Sequence, residues 1–184
     1  MYNKQQKEFL LDLARRSIAY YLDQERLLQV DSSTIDPVLK EPRGVFVTLT
    51  LSGELRGCIG HLQPTQELYL DVIENAVNAA VNDPRFEPLK LAGLKMVNIE
   101  ISVLELPRKL QYRDRNDLLA KLKPGSDGVI LRQGNYEATY LPQVWDDFPS
   151  KEAFLSSLCQ KAGLPPAEWE KGRLEVQVYG VENF

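Results

Sequence analysis

The sequence predicts an α+β protein: a mixed, largely antiparallel sheet flanked by helices, with a smaller second lobe. Three observations lead there. Short apolar runs alternate with period two, longer ones repeat with a helical period, and the two kinds follow one another without the regular alternation of parallel units. The 184 residues favour one domain over 1–184, with room for a small appended lobe.

The elements follow in order. Residues 4 to 23 read as a helix with Leu11, Ala14, Ile18 and Leu22 on one stripe. Residues 29 to 43 are polar and broken by Pro37 and Pro42, which predicts a surface loop. Val45 to Leu51 and Glu54 to Ile59 are strands joined through "LSGE". Two registers compete there. A two-residue turn at Ser52-Gly53 pairs Val47 with Cys58 and mixes polar with apolar residues. A three-residue loop, Leu51-Ser52-Gly53 with a bulge at Gly53, pairs Val45 with Ile59 and Val47 with Gly57. The second register separates the faces and is preferred: Cys58 and Arg56 on one side, Leu55 and Ile59 packed on the other.

Pro64 and Thr65 open a helix to about Asn82, buried along Leu68, Val72, Ala76, Ala79 and Ala80, and "NDPRF" ends it. Val97 to Leu104 is a strand with Val97, Ile99, Ile101 and Val103 inward. A short helix over Asp114 to Leu122 precedes the turn cluster "KPGSDG". Gly128 to Arg132 and Tyr136 to Leu141 form a hairpin about Gly134-Asn135. Ser150 caps a helix over Lys151 to Ala162, which Gly163 terminates. Arg173 to Val181 is the last strand, with Leu174, Val176 and Val178 inward.

Composition excludes several classes. With 43% hydrophobic residues the chain can bury a real core, and no run approaches the roughly 20 apolar residues of a membrane span. Twenty-two Lys and Arg against 26 Asp and Glu give a net charge of −4, with no basic stripe, which argues against nucleic acid as a partner. Nothing at the N-terminus resembles a signal peptide. The expectation is a cytoplasmic protein with reduced thiols. One histidine and two scattered cysteines make no usual zinc set, and no cofactor is implied.

"ELRGCIGHLQPT", residues 54 to 65, concentrates the chemistry. Arg56 and Cys58 project from the same strand face, about 7 Å apart, and a guanidinium near a thiol favours the reactive thiolate. Gly57 and Gly60 leave the backbone bare for a ligand, and Arg56 can grip a carboxylate or phosphate with two prongs. His61 points away in a continued strand, so a Cys-His dyad requires the chain to turn at Gly60. The bland reading is a small core cysteine and glycines packed tightly under the following helix. Cys159, beside Leu155 and Ala162 on a helix, is a core residue. "NDPRFEPL" adds Asp83 and Arg85, read either as a surface ion pair or as lining a pocket. At a strand exit, Gln143 and Trp145 suit a ligand pocket, while a hydrophobic lid explains Trp145 equally well. Glu100, on the polar face of its strand, reads by default as an exposed strand glutamate.

"LRGCIG" resembles the six-residue signature of the AMMECR domain family, and "GVFVTL", "DPRF", "IEISVL", "PGSDGVIL", "YLPQVW" and "LCQKAGL" appear in that family's order. The resemblance covers nearly the whole chain. It implies a larger α+β lobe with a smaller one packed against it and a cleft lined by the signature. It implies no established activity. Relatives are often encoded beside Memo-like and radical SAM proteins, so partners in one pathway are expected. Carried over by motif, the pocket candidates are Arg56, Cys58, Asp83, Arg85, Gln143 and Trp145. His61 departs from the small hydroxyl residue more usual there, and Ala138 from a glycine.

The leading expectation is a cytosolic enzyme with Cys58 as nucleophile or thiolate base and Arg56 as anion clamp, acting on a small-molecule ligand. His61, Asp83, Arg85, Glu100, Gln143 and Trp145 are its substrate-binding candidates. The alternatives are a non-catalytic module that binds a metabolite or a partner, and a factor in nucleic-acid metabolism. If Arg56 and Arg85 face one pocket, they form a positive site on an acidic protein; otherwise each pairs with a neighbouring acid, Glu54 or Asp83.

Overall fold

A computed structural model describes residues 1–184. The chain forms two compact units, Met1–Leu104 with Glu182–Phe184, and Glu105–Val181. It is an α+β protein, with two four-stranded sheets in place of one mixed sheet.

The first unit begins with α1 (Lys4–Gln24), opened by a capping box in which Asn3 and Gln6 satisfy each other's backbone amides. Its buried side is Leu10, Leu13, Ala14, Ser17 and Ile18, one position off the expected stripe: Leu11 and Leu22 are only half-buried. The polar segment after it contains two short 3-10 turns that tuck Ile35 and Leu39 into the core. β1 (Val45–Leu51) and β2 (Glu54–His61) then form the hairpin.

The observed register corrects the expected one. Val45 pairs with His61, Val47 with Ile59 and Thr48 with Cys58. The turn is the tight two-residue kind, with Ser52 at φ 53 and Gly53 at φ 86. A bulge between Leu49 and Thr50 leaves Arg56 as the additional residue and moves Cys58 from opposite Val47 to opposite Thr48. Faces are therefore separated by a bulge within the strand, not by a longer loop. Ile59 packs on the core as expected, but Leu55 is 43% exposed.

α2 (Leu68–Val81) starts later than Pro64-Thr65 suggested. The Glu67 backbone is extended and bridges Pro42, which holds the preceding residues out of the helix. The expected stripe from Leu68 to Ala80 is buried, with two polar residues on it, Asp71 and Asn75. β3 (Val97–Leu104) pairs with β1, so the sheet runs β2-β1-β3 and ends with β8 (Val181–Asn183). Both helices pack against this sheet. The core between them holds Leu10, Leu13, Ile18, Val47, Leu49, Leu68, Val72 and Ile101.

The second unit's sheet runs β4-β7-β5-β6, from β4 (Arg108–Lys109), β5 (Gly128–Gln133), β6 (Tyr136–Tyr140) and β7 (Glu175–Tyr179). Asp114 caps α3 (Arg115–Lys121), and Ser150 caps α4 (Lys151–Lys161). The expected last strand is shorter than Arg173 to Val181. Gly180 separates β7 from β8, and the two join different sheets. Phe154, Leu155, Leu158, Trp145, Trp169, Val176 and Val178 form this unit's core.

Candidate functional site

β2 is an edge strand, and its two faces differ. Gly57 turns inward against α2, where a side chain would overlap the Ala79 carbonyl oxygen. The glycine is there for close packing. Its neighbour Cys58 consequently faces out, as the next residue of an extended strand must, while Arg56, the additional residue of the bulge, sends its guanidinium past the strand edge to the segment after α2. Cys58 is half-buried, and Thr48 on β1 donates a hydroxyl hydrogen bond to its Sγ at 3.3 Å. One strand further across, Glu100 pairs with Thr48, so Cys58, Thr48 and Glu100 form a row over three strands of one face. The Glu100 side chain is exposed and makes no hydrogen bond or ion pair.

The segment after α2 runs beside the open edge of β2. Asp83 is buried, and its Oδ2 accepts the Cys58 backbone N–H at 2.9 Å. It also accepts from the Arg85 amide, from Arg85 Nε at 2.9 Å and from Arg85 Nη2 at 2.7 Å. Arg85 Nη2 in turn donates to the Cys58 carbonyl at 3.3 Å. Both backbone groups of Cys58 are thus clasped by the Asp83–Arg85 pair. Arg85's hydrogen bonds hold the Asp83 carboxyl well below the usual range against the opposing effect of burial, and the Cys58 amide adds to them. The guanidinium is pushed up, chiefly by its hydrogen bonds to Asp83.

Arg56 Nη2 donates to the Glu87 carbonyl. The Phe86 ring contacts both cations, its centroid 5.8 Å from Arg56 Cζ and 5.4 Å from Arg85 Cζ. Each guanidinium keeps Nη1 free. Neither expectation for the arginines is met whole: Arg85 does pair with Asp83, but that acid is buried and holds Cys58 as well.

His61 lies elsewhere. β2 continues through it, so its ring points to the helix side, where Nδ1 is 2.7 Å from Asp71 Oδ1 and 3.3 Å from Asn75 Nδ2. The turn at Gly60 that a Cys58–His61 dyad requires does not occur. Gln143 and Trp145 belong to the second unit. Gln143 is exposed, while Trp145 is stacked on Phe154 with ring centroids 3.5 Å apart and donates its indole N–H to the Asp127 carbonyl at 2.7 Å. The hydrophobic-lid reading describes Trp145. Cys159 is fully buried, and burial pushes its thiol up. No group of three His, Cys, Asp or Glu side chains is placed to hold a metal ion.

The sequence offers no direct signal for Thr48 or Phe86: the expected register sets Thr48 opposite Arg56, and only the bulge brings it opposite Cys58. Asp71 and Asn75 had a signal: they interrupt an apolar stripe four residues apart.

The fold and site define an α+β protein with an outward-facing cysteine on a sheet edge, clasped by an Asp–Arg pair. The AMMECR1 family model matches residues 11–184, and the chain belongs to that family. A protein of Methanopyrus kandleri is 38% identical over 185 residues, covering 96% of this chain and 86% of the relative. One from Pyrococcus furiosus is 40% identical over 187 residues, with coverage of 96% and 86%. The crystal structure of an uncharacterized protein from Pyrococcus horikoshii superposes with a TM-score of 0.80 at 37% identity, covering 98% of this chain and 91% of that one.

Proposed function

We propose that this chain is an enzyme in which the Cys58 thiolate adds to a carbonyl carbon of a small anionic substrate. The C–S bond forms as the carbonyl π pair moves onto oxygen, with Arg56 and Arg85 as the cationic side of the site. The observation that carries the reading is the clasp. Asp83 and Arg85 fix the strand through both backbone groups of Cys58, while the residue stays only partly buried and its Sγ accepts a hydrogen bond from the Thr48 hydroxyl. A cysteine that served only to fill a core would be buried among apolar side chains, as Cys159 is. The free Nη1 groups of two arginines that share contact with Phe86 suit a carboxylate or phosphate. The family resemblance supports one pathway with Memo-like and radical SAM proteins. No helix is long and apolar enough to cross a membrane.

Iodoacetamide is expected to modify Cys58 at least about tenfold faster than Cys159 in the folded protein, read by peptide mass spectrometry at short times. Equal or reversed rates would remove the nucleophile. The chemistry itself is tested by incubating the protein with a metabolite extract and measuring its mass under native and denaturing conditions. An adduct that survives denaturation and is absent from Cys58→Ser supports the enzyme. A ligand retained only under native conditions, equally by Cys58→Ser, shows a binding module instead.

A further inference from the structure

Glu100 is an exposed carboxylate without a partner, standing in the same cross-strand row as Cys58. Two strand spacings separate their backbones, about 10 Å. Beyond the open edge of β2 lie the Arg85 guanidinium, on the Cys58 carbonyl, and the Arg56 guanidinium, on the Glu87 carbonyl, both in contact with Phe86. The site therefore has a direction: negative over β3, thiol over β2, positive beyond the sheet edge. Thr48, between the thiol and the acid, carries no charge that would blur the separation.

We infer that the substrate is dipolar, with an ammonium group directed to Glu100 and a carboxylate or phosphate directed to the arginines. The inference rests on the proposed function and narrows its substrate class. A simple anion would leave Glu100 facing it and would be repelled. A molecule with a cationic end turns the same carboxylate into an orienting contact. The spacing favours a short chain of several bonds between the two charges, such as an ω-amino acid or the ends of a dipeptide, with its reactive carbon over Cys58.

Charge-resolved thiol reagents test this without knowledge of the substrate. Three methanethiosulfonates are used: a trimethylammonium-ethyl, a sulfonato-ethyl and a neutral methyl reagent. Glu100→Gln is expected to slow the cationic reagent relative to the neutral one by about threefold, the size expected of one partly screened charge at this range. Arg56→Gln should slow the anionic reagent to a similar degree. Both residues are on the surface, and circular dichroism checks that each variant folds. In competition, 4-aminobutyrate and 5-aminopentanoate should protect the thiol better than butylamine or butyrate at equal concentration. An unchanged cationic-to-neutral ratio in Glu100→Gln overturns the inference, and so does equal protection by butyrate. Should Cys58 prove unreactive to the neutral reagent, the nucleophile reading fails alone. The same ratios are then read from a Thr48→Cys reporter in Cys58→Ser, where a threefold Glu100 effect still supports a dipolar ligand and its absence overturns it.

Discussion

Asp83→Ala is expected to destabilise the protein by about 2–4 kcal/mol at neutral pH, read as a lower urea midpoint with an unchanged slope. The carboxylate is buried and collects hydrogen bonds from the Cys58 amide, the Arg85 amide and the Arg85 guanidinium. Removing it leaves the Cys58 N–H without an acceptor on the edge of the sheet. Arg85 is 54% exposed and can turn to water, which keeps the loss below that of a fully buried pair. Asp83→Asn retains one acceptor and should cost about half as much. Because the lost bond is to Cys58 itself, both variants should also change the alkylation rate of that thiol. A stability loss below about 1 kcal/mol, or an unaltered thiol rate, would show that the clasp does not fix the strand.

The same residue predicts a pH dependence. Its folded pKa lies below the unfolded value of about 3.9, so the folded state favours the ionised form. That contribution is complete above the unfolded value and is lost as pH falls below about 4 toward the folded one. The stability difference between the native protein and Asp83→Asn should be flat from pH 5 to 8. Below about pH 4 it should shrink by up to about 1.4 kcal/mol per unit, since only the native protein titrates there. A difference independent of pH down to 3 would contradict the assignment.

Much of this was readable in the sequence, for reasons that differ by element. β1 and β3 have the bounds expected, because a strand with one buried face writes its alternation into the residues. The face of Cys58 was also legible, but its register was not. The bulge at Arg56 restores the alternation from within the strand, and nothing local distinguishes that from a longer turn. The start of α2 was misread because its limit is tertiary: Glu67 is held extended by a bridge to Pro42, 25 residues earlier in the chain. Asp83 and Arg85 were legible as a pair two residues apart. Their hold on Cys58 was not, since it depends on where the chain returns after fourteen residues of helix. Trp145 shows the opposite limit, because an aromatic side chain at a strand exit looks the same whether it lines a pocket or closes a core.

Gly57→Ala is expected to cost about 3 kcal/mol or more, and its cause can be isolated. The position has no left-handed backbone, so the demand for glycine comes from space alone. A methyl group there meets the Ala79 carbonyl oxygen, which belongs to the backbone of α2 and cannot swing aside as a side chain would. Relief requires β2 and α2 to part, which would weaken the packing of Val47 and Ile59 above Ala76 and Ala79. Gly53 supplies the contrast. Nothing lies within 4 Å of an added methyl, and its φ of +86 alone is strained, so Gly53→Ala should cost only about 1 kcal/mol. The decisive variant is Gly57→Ala combined with Ala79→Gly. Deleting the Ala79 side chain does not move its carbonyl, so the double variant should be no more stable than Gly57→Ala. Thermal unfolding of the three proteins reads the outcome, and rescue by Ala79→Gly would mean that side chains, not the helix backbone, set the approach of α2 to the cysteine strand.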